Sequence, residues 1–206
     1  MNDNPFDIVR DFEEKLAEFT GAPYVVTTNS CTMALFLCVS YMKYLAGGTL
    51  SRIQLPAKTF VSVPCSVNNA GGRVVFKDFE WTSQGEYKLV PYPVWDSALL
   101  LKPNMFNGEF QCISFHYKKP LAIGRGGAIL CPDRKSYEWL MKMHYNGRDI
   151  FAGEDRDKPN CVGWHAHMFP EEALRGLILL HNYKQRTDFP ISQPEYLDLR
   201  EYDIYG

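Results

Sequence analysis

Apolar side chains recur at near-helical spacing from Phe6 through Val9, Phe12 and Leu16 to Phe19, after the helix-starting pair Asn4-Pro5 and before Gly21. That pattern predicts an amphipathic docking helix. The period then changes. Tyr24, Val25, Val26 and Thr27 read as a strand, and residues 32–45, rich in Ala, Leu, Met and aromatics, as a helix. A strand over residues 53–57, a helix starting in 58–62 and closing near Ala70-Gly71-Gly72, and a strand over 73–79 follow. Gln111, Cys112, Ile113 and Phe115 suit a short buried strand, and residues 126–130 suit another. Residues 136–145 and 170–184 read as helices, while 150–160, charged and without apolar periodicity, reads as a surface loop. Strands alternating with helices predict an α/β fold with a mostly parallel central sheet and a site at strand C-terminal ends.

Chemistry concentrates in residues 114–127, S-F-H-Y-K-K-P-L-A-I-G-R-G-G, where a polar strand end, the amines Lys118 and Lys119 and a glycine-rich turn join two predicted core strands. A lysine held against a low-dielectric wall loses solvation, so its neutral amine becomes accessible and can attack a carbonyl to form a Schiff base. A solvated turn with two ordinary lysines is the plainer reading. Upstream, Thr28-Asn29-Ser30-Cys31 carries a strand into a helix, which offers free N–H groups and the positive helix end to a phosphate. Ser30 would equally serve as an ordinary N-cap.

Composition narrows the setting. At 206 residues and 46% hydrophobic, the chain can bury a core of its own, and a formal net charge of -2 gives no electrostatic reason to expect a nucleic-acid partner. The 6 cysteines form no CxxC pair and mostly lie among apolar neighbours, which favours reduced thiols over disulfides. Residues 1–10 lack the basic start and apolar centre of a secretory signal, and no apolar run is long enough to span a bilayer. The expectation is a cytoplasmic protein that engages no membrane.

The S-F-x-x-x-K-x-L-x-x-G-x-G-G pattern of residues 114–127 resembles the Schiff-base segment of the DegT/StrS-type sugar aminotransferases, fold-type I enzymes that use pyridoxal 5'-phosphate. The resemblance makes Lys119 the cofactor-linking lysine and Ser114 a ligand of the cofactor phosphate, with Arg125 where the family usually has an acid. Other stretches match in order. Phe12, Glu13, Ala17, Phe19 and Gly21 follow F-E-x-x-x-A-x-F-x-G. Ser30, Cys31, Thr32, Ala34 and Leu35 follow S-G-T-x-A-L with Cys31 replacing the glycine, which implies phosphate contacts from Thr32 and the Cys31 backbone. Phe60, in a P-x-x-T-F pattern, is implied to stack on the pyridine ring, although a core phenylalanine fits the residues alone. V-V-F-K-D-F matches V-F-x-D, and P-V-W-D-S-A resembles E-D-x-A, which places Asp96 beside the pyridine nitrogen; a helix N-cap or solvated aspartate is the bland alternative. Trp95 and Leu99 depart from the family there, and the segment before Asp96 is short. Asn146-Gly147-Arg148 looks like the family's H-G-R. G-W-H-A-H-M aligns with G-Y-N-x-R-M, making His165 the residue that reaches a partner subunit's cofactor phosphate, with His167 in place of an arginine. A metal site with Cys161, or surface histidines, compete with that reading. Ala173, Gly176, Leu177 and Leu180 follow A-x-x-G-L-x-x-L.

The resemblance implies a three-layer large domain over residues 1–186 with a C-terminal tail over 187–206, covering about half of a typical two-domain relative. It implies a homodimer that transfers an amino group from an amino acid such as glutamate to a nucleotide-linked keto sugar, in sugar nucleotide biosynthesis. Lys119 and Asp96 are then the catalytic pair, and Arg125 and Arg148 the candidates for a donor carboxylate. A sugar 3-dehydratase resembling the same family carries a histidine at the lysine position, against Lys119 here. The alternative from a different class is a reduced, catalytically impaired cofactor-binding or protein-interaction module, whose tyrosine-rich tail, Tyr196 to Tyr205, covers the cleft or docks on another subunit.

Overall fold

The structure, a computed structural model, describes residues 4–79, 81–152, 158–159, 161–189, 191 and 195–205, so the expected loop at 150–160 lies partly outside the described residues. Helix α1 (Asp7–Thr20) forms where the apolar spacing predicts it, with Phe12 and Leu16 fully buried. Burying each such side chain contributes about 1.5–3 kcal/mol. Gly21 ends the helix at φ 79°, a left-handed conformation that glycine adopts without a Cβ clash. Glu13, on the buried face, accepts from the backbone N–H of Thr27 at 2.7 Å and its hydroxyl at 2.8 Å, which ties α1 to strand β1 (Tyr24–Thr28).

Helix α2 (Cys31–Leu45) is apolar around most of its circumference, as a helix buried on several sides must be. It is followed by β2 (Ile53–Pro56), α3 (Ser62–Asn69), β3 (Val74–Lys77), β4 (Tyr87–Lys88), β5 (Val94–Asp96), β6 (Phe110–Ser114), β7 (Gly127–Cys131), α4 (Arg134–Met143) and α5 (Pro170–Tyr183). The expected third helix begins at Ser62, later than residues 58–62 suggest, because Lys58 instead makes a bridge with Asp198 from the C-terminal segment.

The main sheet has the order β1-β7-β6-β5-β4, and β2 and β3 form a parallel pair joined to it by an isolated bridge from Gln54 to Val90. Alternation sorts the side chains into two cores. Val25, Ile113, Ala128 and Leu130 face α1 and α5, while Val26, Cys112, Ile129 and Cys131 face α2 and α4. The result is the expected three-layer α/β arrangement with a mixed sheet. Parallel pairing is less extensive than expected: β5 and β6 are parallel, but β1/β7, β6/β7 and β4/β5 are antiparallel. Parallel neighbours need a crossover, usually a helix, and residues 89–93 and 115–126 contain none, so their strands fold back as antiparallel partners.

No helix among the described residues is long and apolar enough to cross a membrane. All six cysteines are unpaired, four of them buried.

Candidate active site

The end of β1, the start of α2 and the C-terminal ends of β5 and β6 converge on one edge of the sheet. Ser30 caps α2 from an extended backbone, its hydroxyl accepting from the Met33 N–H at 3.2 Å, and its carbonyl accepts from the Thr28 hydroxyl at 2.9 Å. The N–H groups of Cys31 and Thr32, first in the helix, have no intrahelical acceptor to meet. The Thr32 hydroxyl donates to the Ser62 hydroxyl at 2.9 Å, which fixes α3 against this corner. Gly127 passes so close that a Cβ there would stand 2.4 Å from the Cys31 nitrogen, and only glycine permits that approach.

Asp96 ends β5 in register with Cys112, and Ser114 ends the parallel neighbour β6. The Asp96 side chain is 2% exposed. Burial raises its pKa, against hydrogen bonds from the Ala98 N–H and the Tyr87 hydroxyl and the charge of Lys119, which lower it; Glu86 adds to the rise. Its Oδ1 accepts from Ala98 at 3.0 Å, the Asx-type contact of a strand end rather than a helix cap. The Tyr87 hydroxyl also shares a hydrogen bond with the Thr59 hydroxyl at 2.6 Å, in which either group can donate.

Lys119 follows on the connection between β6 and β7, its N–H donating to the His116 carbonyl at 2.8 Å. The two lysines are sorted by burial. Lys118 is exposed, with its ammonium 5.5 Å over the Tyr117 ring, whereas Lys119 is half-buried. Burial lowers the Lys119 pKa, while Asp96 and Cys31 act in the opposite direction. An amine depressed by desolvation beside a buried carboxylate is the combination that functional sites build.

Cys31, Thr32, Phe60, Asp96, Ser114 and Lys119 all line one cavity of about 520 Å³, a size typical of small-molecule sites, about 300–1,000 Å³. Phe60 sits on the connection before α3, half-exposed. His165 does not line the cavity. Its carbonyl accepts from the Asn29 side chain at 3.4 Å, which puts it beside the β1–α2 turn, while its ring packs 4.6 Å from His167 and 6.2 Å from Phe169. Arg125 lines the cavity and pairs with Glu172 at 2.7 Å, whereas Arg148 lies over the Tyr145 ring and away from it. Among the described residues no group of three or more His, Cys, Asp or Glu is placed to hold a metal.

Three further contributors appear, two of them absent from the sequence analysis and the third from the tail that its alternative laid over the cleft. Tyr87 and Thr59 hold Asp96, and Tyr196 lines the cavity from the C-terminal segment. The alternation of Tyr87 and Leu89 was the available signal for a strand in the short segment before Asp96. Nothing local marks Thr59 as a neighbour of Tyr87, whereas the density of tyrosines marked the tail that carries Tyr196.

A three-layer α/β domain with a lysine and a buried carboxylate facing one cavity at the strand ends has the fold of the PLP-dependent aminotransferases. A sugar aminotransferase from Micromonospora echinospora superposes with a TM-score of 0.70 at 17% identity, over 86% of this chain and 61% of its own. NtdA from Bacillus subtilis, solved with its cofactor PMP, gives 0.69 at 16% identity, over 86% and 48%. The 3-amino-5-hydroxybenzoic acid synthase gives 0.72 at 20% identity, over 85% and 56%. The chain thus spans between about half and three-fifths of these structures. A search of curated protein sequences finds no match. The DegT/DnrJ/EryC1/StrS aminotransferase family model matches residues 4–85 and 106–188, and the chain belongs to that family.

Proposed function

We propose that the cavity binds pyridoxal 5'-phosphate and that the chain takes part in transferring an amino group from an amino acid such as glutamate to a keto sugar carried on a nucleotide. The observation that carries this reading is the meeting of six residues from four separate segments around one cavity, with the Lys119 amine and the Asp96 carboxylate each perturbing the other.

The donor set fits the cofactor. The Cys31 and Thr32 N–H groups and the Ser114 hydroxyl form a phosphate cradle at the positive end of α2. Asp96, buried and costly as an anion, matches a protonated ring nitrogen, and Phe60 offers a face to a flat ring. Bound there, the cofactor would supply an electron-accepting ring conjugated to the amino acid's α-carbon. Asp96 keeps the nitrogen position positively polarised. Tyr87, bonded to Thr59, and the Ala98 N–H hold Asp96 in place, which leaves carboxylate lone pairs for the ring nitrogen. Lys119, once its amine is free, takes the proton from the α-carbon and returns it elsewhere, a role that a depressed pKa suits. Residues 1–186 act as the cofactor-binding large domain, with 187–206 as a tail, in a cytoplasmic homodimer where His165 approaches the partner's phosphate site.

The test is an absorption spectrum of the purified chain with added pyridoxal phosphate, then borohydride reduction and peptide mass spectrometry. A visible band that borohydride bleaches, with the added mass on Lys119 and absent from Lys119→Ala, is the expected result. Modification of Lys118 instead, or no band, refutes it. Conversion of the band by glutamate then separates turnover from cofactor binding alone.

A further inference from the structure

One side of the active-site cavity is closed by neither the sheet nor a helix. Glu195 and Tyr196 line it, and the same two residues with Leu99 line a second cavity of about 700 Å³ bounded by Lys58, Lys77, Phe79 and Trp81. They are therefore the partition between an inner cavity and an outer one. The Tyr196 ring stacks on Trp81 at 5.6 Å and 18°, and meets Phe60 at 6.3 Å. Its phenol feels the charges of both Asp96 and Cys31, which with burial raise its pKa and keep it a neutral donor beside the cavity.

The segment behind Tyr196 is fastened along the rim. The Leu199 N–H donates to the Ala57 carbonyl at 2.9 Å, and Arg200 reaches Asp78 at 2.7 Å and Asp198 at 2.6 Å. The Tyr205 hydroxyl donates to the Val61 carbonyl at 3.4 Å, and its ring meets Phe76 edge-on at 6.1 Å. These contacts return repeatedly to residues 57–61, the connection that also carries Thr59 and Phe60. Yet Leu199 is the only fully buried side chain among the described residues of 195–205, and the ion pairs are exposed. Exposed pairs contribute little, and a segment with one buried anchor opens far below the cost of global unfolding.

We propose that Tyr196 is a ligand-binding residue of this cavity and that the segment 195–205 is its detachable wall, whose opening joins the two cavities and admits ligand to Lys119. Calling that ligand a phosphorylated aldehyde cofactor rests on the function proposed above; the wall itself does not.

The experiment reads Lys119 directly in the unloaded full-length chain. Trinitrobenzenesulfonate labelling is followed by peptide mass spectrometry, with Lys15 on the exposed face of α1 as internal reference. Tyr196→Ala removes the partition and Arg200→Ala its exposed latch; the first is expected to raise Lys119 labelling about tenfold relative to Lys15 and the second about two- to threefold. Equal labelling in wild type and both variants overturns the proposal. In the cofactor-loaded chain, pyridoxal phosphate should leave Tyr196→Ala about tenfold faster on dilution, and unchanged release overturns Tyr196 as a binding residue. Failure of the wild-type chain to bind pyridoxal phosphate removes the functional reading, while the labelling rates still decide the wall.

Discussion

Glu13 provides a stability test of the scaffold that carries the phosphate cradle. The carboxyl is 4% exposed, and burial lifts its pKa from 4.5 to about 7 despite both hydrogen bonds from Thr27. Between those values the folded chain holds a proton that the unfolded chain has released. The stability contributed by this group is therefore fully present below about pH 4.5 and is lost as pH rises to about 7. The shift corresponds to about 3 kcal/mol. His144 and His167, both lowered to about 4 by burial, work in the opposite direction over an overlapping range, because they must charge on unfolding as pH falls below 6.5. The raw pH profile of the wild type would mix these effects. Glu13→Gln isolates one of them, since the amide oxygen still accepts from Thr27 while the titration is gone. An unpartnered amide N–H costs about 1–3 kcal/mol, but that offset does not change with pH. Urea denaturation of wild type and variant from pH 4.5 to 8 should show the variant gaining about 3 kcal/mol on the wild type across the range. A stability difference that stays flat with pH would mean that Glu13 does not titrate in the buried contact and would refute the reasoning.

Asp96→Asn should separate stability from chemistry. Burial penalises the Asp96 charge, so the unloaded variant should melt no lower than wild type, while the proposed amino transfer should fall by about 10²–10⁴-fold if the carboxylate serves the ring nitrogen as proposed; a cold-sensitive or early-melting variant would instead make Asp96 a structural residue. Gly127→Ala places a Cβ 2.4 Å from the Cys31 nitrogen and 2.7 Å from the Ser30 carbonyl carbon. Backbone must move there, so pyridoxal phosphate affinity measured by the visible band should fall by about tenfold or more, with about 1–3 kcal/mol lost in denaturant; wild-type affinity would exclude the cradle.

What could be read from the chain and what could not divide along a physical line. Residues whose role depends on their own backbone left a local mark. Ser30, Cys31 and Thr32 stand where a strand enters a helix, Gly127 where two backbones touch, and Asp96 and Ser114 where short apolar runs stop. Lys119 was separable from Lys118 only by motif, since adjacent residues on a turn differ in burial for reasons that lie across the fold. Residues whose role depends on a distant neighbour left no mark. Thr59 finds Tyr87 from 28 positions away, and β4, at 2 residues, shows its alternation only through Leu89 beyond its end. The tyrosines of the tail hinted at a cover for the cleft, but not at its anchors, where Leu199 and Arg200 meet Ala57 and Asp78 more than a hundred residues earlier. The same segment accompanies the late start of the third helix: Lys58 bridges to Asp198, and the irregular stretch that follows carries Thr59 to Tyr87 and Phe60 to the cavity. The shape of the cavity thus depends on contacts between the C-terminal segment and residues 57–61, far apart in the chain, and Arg200 holds Asp198 beside one of them.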